Sequence, residues 1–194
     1  MSLGQKKDKK DRVLSIRDLN ISFTTNNGIV RAIRGIRFDL FKGETVAIVG
    51  ESGSGKSVTM KTLMGILDVN GKIDSGTIEY TYIDSDGNRH DYDLVKMSPQ
   101  EIRYQLSGQH IAMVFQDPMT SLDPTMTIGK QIMESMREHE HLNIAQANKR
   151  ALELLTRVGI DEPEKRFKEY PHQLSGGMRQ RVVIAIAVSC NPDI

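Results

Sequence analysis

Eight consecutive residues, Gly50-Glu51-Ser52-Gly53-Ser54-Gly55-Lys56-Ser57, fit the Gly-x-x-x-x-Gly-Lys-Ser/Thr pattern of a phosphate-binding loop. The glycines let successive backbone N–H groups turn inward without Cβ clashes, and a helix beginning near Lys56 adds its positive N-terminal end. Together they make an anion cradle. Lys56 is placed to neutralise the β and γ phosphates, the Ser57 hydroxyl is a hard oxygen donor suited to the octahedral shell of Mg²⁺, and Val58 closes the contacted stretch. ATP with Mg²⁺ is the expected cofactor. No Gly-x-Ser-x-Gly elbow and no Gly-x-Gly-x-x-Gly dinucleotide fingerprint competes with this reading. His139-Glu140-His141 is no zinc-protease motif, because two histidines two apart diverge on a helix and the fifth position is Asn143. That segment reads as a solvated helix end.

A second anion-friendly start lies at Leu174-Ser175-Gly176-Gly177-Met178-Arg179-Gln180-Arg181, where bare backbone and one hydroxyl precede an apolar helix. One ATP needs one cradle. The economical resolution is that Ser175, Gly176 and Gly177 serve an ATP held by another chain.

These two segments, with Val114-Phe115-Gln116-Asp117-Pro118-Met119-Thr120-Ser121-Leu122-Asp123-Pro124 and Tyr170-Pro171-His172-Gln173 between them, resemble the ABC transporter ATPases from Val13 onward. The longer strings resemble the oligopeptide, dipeptide and nickel importer branch. The resemblance implies a P-loop NTPase (RecA-like) α/β core with an antiparallel β subdomain and an inserted α-helical subdomain. It also implies that Phe23 stacks on adenine, that Gln116 reaches Mg²⁺ or the attacking water, and that Ser175, Gly176 and Gly177 touch the γ-phosphate of the partner's ATP. Lys56 and Gln116 would be the catalytic residues within these 194 positions. The implied partners are a second ABC ATPase subunit, arranged head to tail, two transmembrane permease subunits and, indirectly, an extracytoplasmic solute-binding protein. The implied location is the cytoplasmic face of the plasma membrane.

In the same family the Asp that supports Mg²⁺, the catalytic Glu, the D-loop and the switch His would follow Ile194. Asp193 is not that Asp, because no apolar run precedes it. The C-terminal part of the core is therefore expected to be missing, and the chain is expected to bind nucleotide without turning it over. Two alternatives remain: a soluble, non-transport ABC ATPase, or a non-catalytic ATP-binding fragment.

The surrounding pattern supplies the elements that must hold these residues. Residues 1–11 form a basic polar tail expected to be disordered; 12–116 form the ATP-binding core with its antiparallel β subdomain, 117–176 the helical subdomain, and 177–194 a helix returning to the core. Alternation from Val13 and from Ile36 to Phe41 marks antiparallel strands about an Asn26-Asn27-Gly28 turn. The β-branched run Thr45 to Val49 and the run Ile111 to Phe115 read as strands buried on both faces. Helices are expected from Lys56 to Leu67, after Ser98-Pro99-Gln100-Glu101, from Ile128 to about Val158 with a break near Asn143, and from Gly177 to Cys190.

With 26 basic and 25 acidic residues the formal charge is +1, which gives no electrostatic argument for nucleic acid. No run is apolar enough to span a bilayer, and the first dozen residues hold no signal-peptide core. The lone Cys190 follows an apolar run and reads as an inert core residue. His172, without a visible acidic partner, reads as shaping the loop before Leu174.

Overall fold

The computed structural model describes residues 11–194, so the basic tail lies outside the described residues but for Asp11. Two compact units are distinguished, the first ending at Tyr104 and the second running from Gln105 to Ile194. No helix among the described residues is long and apolar enough to cross a membrane.

The first unit is built on β1 (Arg12–Thr25), β2 (Gly28–Phe41), β3 (Gly71–Ile83) and β4 (Arg89–Asp93), an antiparallel sheet in the order β2-β1-β3-β4. Its buried face is set by an alternation that changes phase. Leu14 and Ile16 point inward at even positions, Leu19 and Ile21 at odd ones, and all four are buried. The change occurs at a bulge, where Asp18 takes a φ of 49° and the Asn20 side-chain Nδ2 donates to the Asp18 carbonyl at 2.7 Å. A slip of one residue turns every later side chain over, so the bulge is what keeps both apolar pairs on one face. Opposite them stand Tyr80, Ile78 and Ile33, also buried.

Two helices complete this unit. The first, α1 (Lys56–Leu63), is shorter than the expected run to Leu67: Gly65 adopts a φ of 65°, and the amides of Gly65 and Ile66 bond back to Thr62 and Lys61. That is a glycine-terminated C-cap, and it removes Ile66 and Leu67 from the helix. The second, α2 (Pro99–Gln105), opens as the sequence predicts. The Ser98 amide donates to the Glu101 carboxylate at 2.7 Å and the Glu101 amide to the Ser98 hydroxyl at 3.2 Å, a reciprocal capping box.

The expected strand Thr45–Val49 is a correction. Among the described residues nothing pairs with it in a ladder, and Val49 is 91% exposed, with Val46 and Ile48 exposed as well. A strand buried on both faces owes its burial to flanking strands, and a β-branched composition does not supply them. The same correction applies to Ile111–Phe115. Ile111 is buried, and the Ala112 amide meets the Ile194 carbonyl at 2.8 Å while the Ile194 amide meets the His110 carbonyl at 3.1 Å. Those bonds form one parallel rung, and beyond it Val114 and Phe115 are exposed.

The second unit is helical: α3 (Pro118–Ser121), α4 (Ile128–His139), α5 (Ile144–Arg157), α6 (Pro163–Arg166) and α7 (Gly176–Ala187), with a 3₁₀ turn over Pro171–Gln173. Ile128, Ile132 and Met136 on α4 and Ala147, Ala151 and Leu155 on α5 bury one stripe of each helix, and Val182 and Val183 on α7 pack into the same core. The break between α4 and α5 is enforced by Asn143, which caps α5: its side-chain oxygen accepts from the Gln146 amide, and its own amide donates to the Gln146 side-chain oxygen.

Candidate nucleotide-binding site

In the phosphate-loop segment, Gly53 and Gly55 have φ values of 81° and 90°, left-handed conformations that L side chains rarely adopt. Gly55 is also the N-cap of α1 and is buried against β2. A Cβ there would lie 2.4 Å from Ile33 Cδ1 and 3.0 Å from the Ala32 carbonyl oxygen. Position 55 therefore excludes a side chain twice, by conformation and by contact. The sequence reading did not include Ala32 and Ile33; they are what fixes the start of α1 on the sheet.

Lys56 folds back over the loop. Its ammonium donates to the carbonyl oxygens of Gly50 and Glu51, each at 2.7 Å, and to the Ser54 hydroxyl at 3.1 Å. The Ser54 amide in turn reaches the Glu51 carbonyl at 3.2 Å, so the loop is a closed turn with a cation drawn into it. Glu51, Ser52, Gly53 and Ser54 are exposed, Ser57 stands exposed in the first turn of α1, and Val58 is half-buried. A positive side chain, a helix start and a bare, exposed backbone converge on one short segment, the combination that binds a polyphosphate.

Phe23 lies on β1 opposite Val30 on one side and Gly71 on the other, and it is half-buried. Ile21, two residues earlier and so on the same face, pairs with Ile33, the residue against which Gly55 is seated. Phe23 and the phosphate loop are thus tied to the same pair of strands.

In the second unit, Gln116 is exposed in a bend just before α3. The chain after it is anchored by a residue the sequence reading passed over. Gln131 on α4 is buried, and its side-chain amide donates to the carbonyls of Asp123 and Met126 while its oxygen accepts from the Asp123 amide, all at 2.9 Å. A polar residue between Ile128 and Ile132 on an otherwise buried stripe was the available signal.

Ser175 caps α7, accepting from the Met178 amide at 3.3 Å. Gly176 and Gly177 are exposed in the first turn, and a Cβ built on either would meet nothing within 4 Å. Neither has a left-handed φ. Among the described residues neither backbone conformation nor contact calls for glycine at these two positions. Pro171 is pinned beneath by the Arg179 guanidinium, whose Nε donates to its carbonyl at 2.7 Å.

The residues given no chemical role sit in local surroundings of their own. Cys190 is buried, and desolvation pushes its thiol above the ordinary range, which disfavours the reactive thiolate. His172 is exposed and stacks on Tyr170 with ring centroids 5.7 Å apart. No cluster of three or more metal-ligating His, Cys, Asp or Glu side chains occurs among the described residues, and His139 and His141 form none.

A family model described as ABC transporter matches residues 33–194. The chain belongs to the ABC transporter family. It is 48% identical over 185 residues to the dipeptide transport ATP-binding protein DppD of Bacillus subtilis, covering 95% of this chain and 52% of that protein. It is 51% identical over 184 residues to the oligopeptide transport ATP-binding protein OppD of the same organism, covering 94% and 49% respectively. Among solved structures, the dimeric ATP-binding cassette MJ0796 in a post-hydrolysis state bound to ADP and Pi matches with a TM-score of 0.71 and 28% identity, over 92% of this chain and 70% of that one. The ABC cassette fold is therefore established for this chain, which spans about half the length of the curated relatives it matches.

Proposed function

We propose that this chain is the nucleotide-binding portion of the ATPase subunit of an ABC importer for oligopeptides or dipeptides, in which ATP binding and hydrolysis drive solute uptake. The observation that carries the proposal is the Lys56 ammonium held 2.7 Å from the Gly50 and Glu51 carbonyls, inside a loop whose glycines leave the backbone bare. The identity to dipeptide and oligopeptide transport ATP-binding proteins supports the importer branch.

In this reading Gly50 to Val58 hold the phosphates, Phe23 supports adenine, and Gln116 senses the γ-phosphate. Ser175, Gly176 and Gly177 close on the ATP of a second cassette arranged head to tail. The exposed hydroxyl of Ser57 is a neutral hard oxygen at the first turn of α1 and fits Mg²⁺. Bound there, Mg²⁺ neutralises charge on the phosphates. Two permease subunits and an extracytoplasmic binding protein complete the assembly, and the subunit works peripherally at the cytoplasmic face of the membrane.

Calorimetric titration of ATP-Mg²⁺ into the parent chain and a Lys56→Ala variant tests the core of this. The variant should lose most of its affinity. Equal affinity would overturn the assignment of the phosphate loop. Uptake of labelled peptide by vesicles holding the assembled transporter, abolished by the same substitution, tests the importer reading.

A further inference from the structure

We infer that Gly71 is a positioning residue for the adenine platform: by having no side chain, it lets the Phe23 ring lie down across β3 in the attitude that stacking on the base requires. The inference rests on the reading of Phe23 given above and assigns a role to the residue that faces it across the sheet.

The geometry is local and specific. Gly71 opens β3 and is the direct cross-strand partner of Phe23. A Cβ built on Gly71 would fall 2.8 Å from Phe23 Cε1, closer than Cβ atoms are found to approach any neighbour, so the ring occupies the space a side chain would take. The φ of Gly71 is not in the left-handed region, which means backbone conformation does not demand glycine here. Contact does. The rung is also firmly located. The Thr24 amide donates to the Asn70 carbonyl at 2.9 Å, the Asn70 side chain returns a bond to the Thr24 carbonyl at 3.1 Å, and the Gly71 amide closes a turn onto Asp68 at 2.8 Å. With Thr24 bonded to Asn70 on one side of the rung and Ser22 paired with Lys72 on the other, a methyl at position 71 cannot be relieved by moving the strands apart. The ring must rotate.

A displaced ring matters because aromatic stacking on a base depends on presenting a face at van der Waals distance, whereas a phosphate cradle is indifferent to it. The consequence is a split in ligand response. Substitution at Gly71 should weaken ligands that carry a base and leave inorganic triphosphate untouched.

The built Cβ also meets Leu67 Cγ at 2.9 Å and the Asp68 carbonyl at 3.1 Å, so a Gly71→Ala variant carries some crowding unrelated to Phe23. A double-mutant cycle separates the two effects. Calorimetry with ATP-Mg²⁺ and with tripolyphosphate-Mg²⁺ is carried out on the parent chain, Gly71→Ala, Phe23→Ala and the double variant. The expected result is that each single substitution weakens ATP by about fivefold or more, the lower end for a lost base–aromatic stack, while tripolyphosphate binding stays level. In the double variant the Gly71 substitution should add nothing, since no ring remains to displace.

Two failures are distinguishable. If Phe23→Ala weakens ATP and Gly71→Ala does not, or if the two losses add, the positioning role is wrong and the platform stands. If Phe23→Ala leaves ATP affinity unchanged, the platform reading itself falls and this inference with it. A loss of tripolyphosphate binding in Gly71→Ala would show that the methyl damages the fold generally and would also overturn the positioning role.

Discussion

The ammonium of Lys56 donates to the carbonyl oxygen of Gly50 at 2.7 Å, joining the last turn of the phosphate loop to its first residue. The same bond that shapes the cradle fixes where its positive charge sits. Because the loop is exposed, the carbonyls released by Lys56→Ala can be taken up by water, and a surface change of this kind alters stability by no more than about 0.5 kcal/mol. Hydrogen bonds to a charged group are worth about 1.5–3 kcal/mol, so ATP affinity should fall by roughly ten- to a hundredfold. Urea denaturation beside calorimetry checks both halves: a stable protein that has lost its ligand.

Gly55→Ala should fail in stability as well as binding. The residue is held at a φ of 90°, and its Cβ would press on Ile33, which is 4% exposed. Left-handed strain for a non-glycine residue is of order 1–3 kcal/mol before the clash with Ile33 is added. A denaturation midpoint within error of the parent would contradict the contact.

Gln131 should be among the costliest polar positions to change. Gln131→Leu keeps the volume and apolar stripe of α4 but strands the Asp123 amide and the carbonyls of Asp123 and Met126. Leaving a buried donor or acceptor unpaired costs about 1–3 kcal/mol, and hydrogen exchange should quicken first at the Asp123 and Thr125 amides. Faster exchange spread evenly over the second unit would instead mean that Gln131 supports the helical core as a whole.

For Gly177→Ala the expected directions diverge. The position is helical, exposed and without steric constraint, so alanine should stabilise α7 by about 0.5–1 kcal/mol. If the bare backbone serves the ATP of a second cassette, the same variant should lose ATP-dependent association in analytical ultracentrifugation. Stabilisation with association intact would remove Gly177 from the composite site.

The sequence carried the local devices well and the long-range ones poorly. The helix start at Lys56, the Ser98–Glu101 capping box and the Asn143 break depend on neighbours within a few residues, and the structure reproduces each. The alternation from Val13 was legible, yet the bulge at Asp18 that changes its phase depends on pairing with β2 and β3. Thr45–Val49 failed for the same reason in reverse: its composition is that of a central strand, but a strand is central only if others flank it. Gly71 was missed because it acts on Phe23, distant in the sequence, and Gln131 because a polar residue on a buried stripe does not by itself say which backbone groups it meets.

The turn of the β3–β4 hairpin should be sensitive to acid. Its turn is organised by Asp84, whose carboxylate meets His90 Nε2 at 2.8 Å and accepts from the Asn88 amide at 2.8 Å and the Asp86 amide at 3.0 Å. The His90 hydrogen bond and then the Asn88 amide hold the Asp84 carboxyl down, to about 2 against 3.8 ordinarily. A carboxyl whose folded pKa is depressed contributes stability that is complete above its unfolded value and is lost as pH falls through the folded one. The turn should therefore be intact above about pH 4 and loosen as pH falls toward about 2, with the Asn88 amide losing its protection in that window. His90→Ala removes the largest cause and should raise the Asp84 titration toward the ordinary range. Followed by the carboxyl carbon resonance in NMR, an Asp84 midpoint unmoved by His90→Ala would show that the backbone amides alone set it.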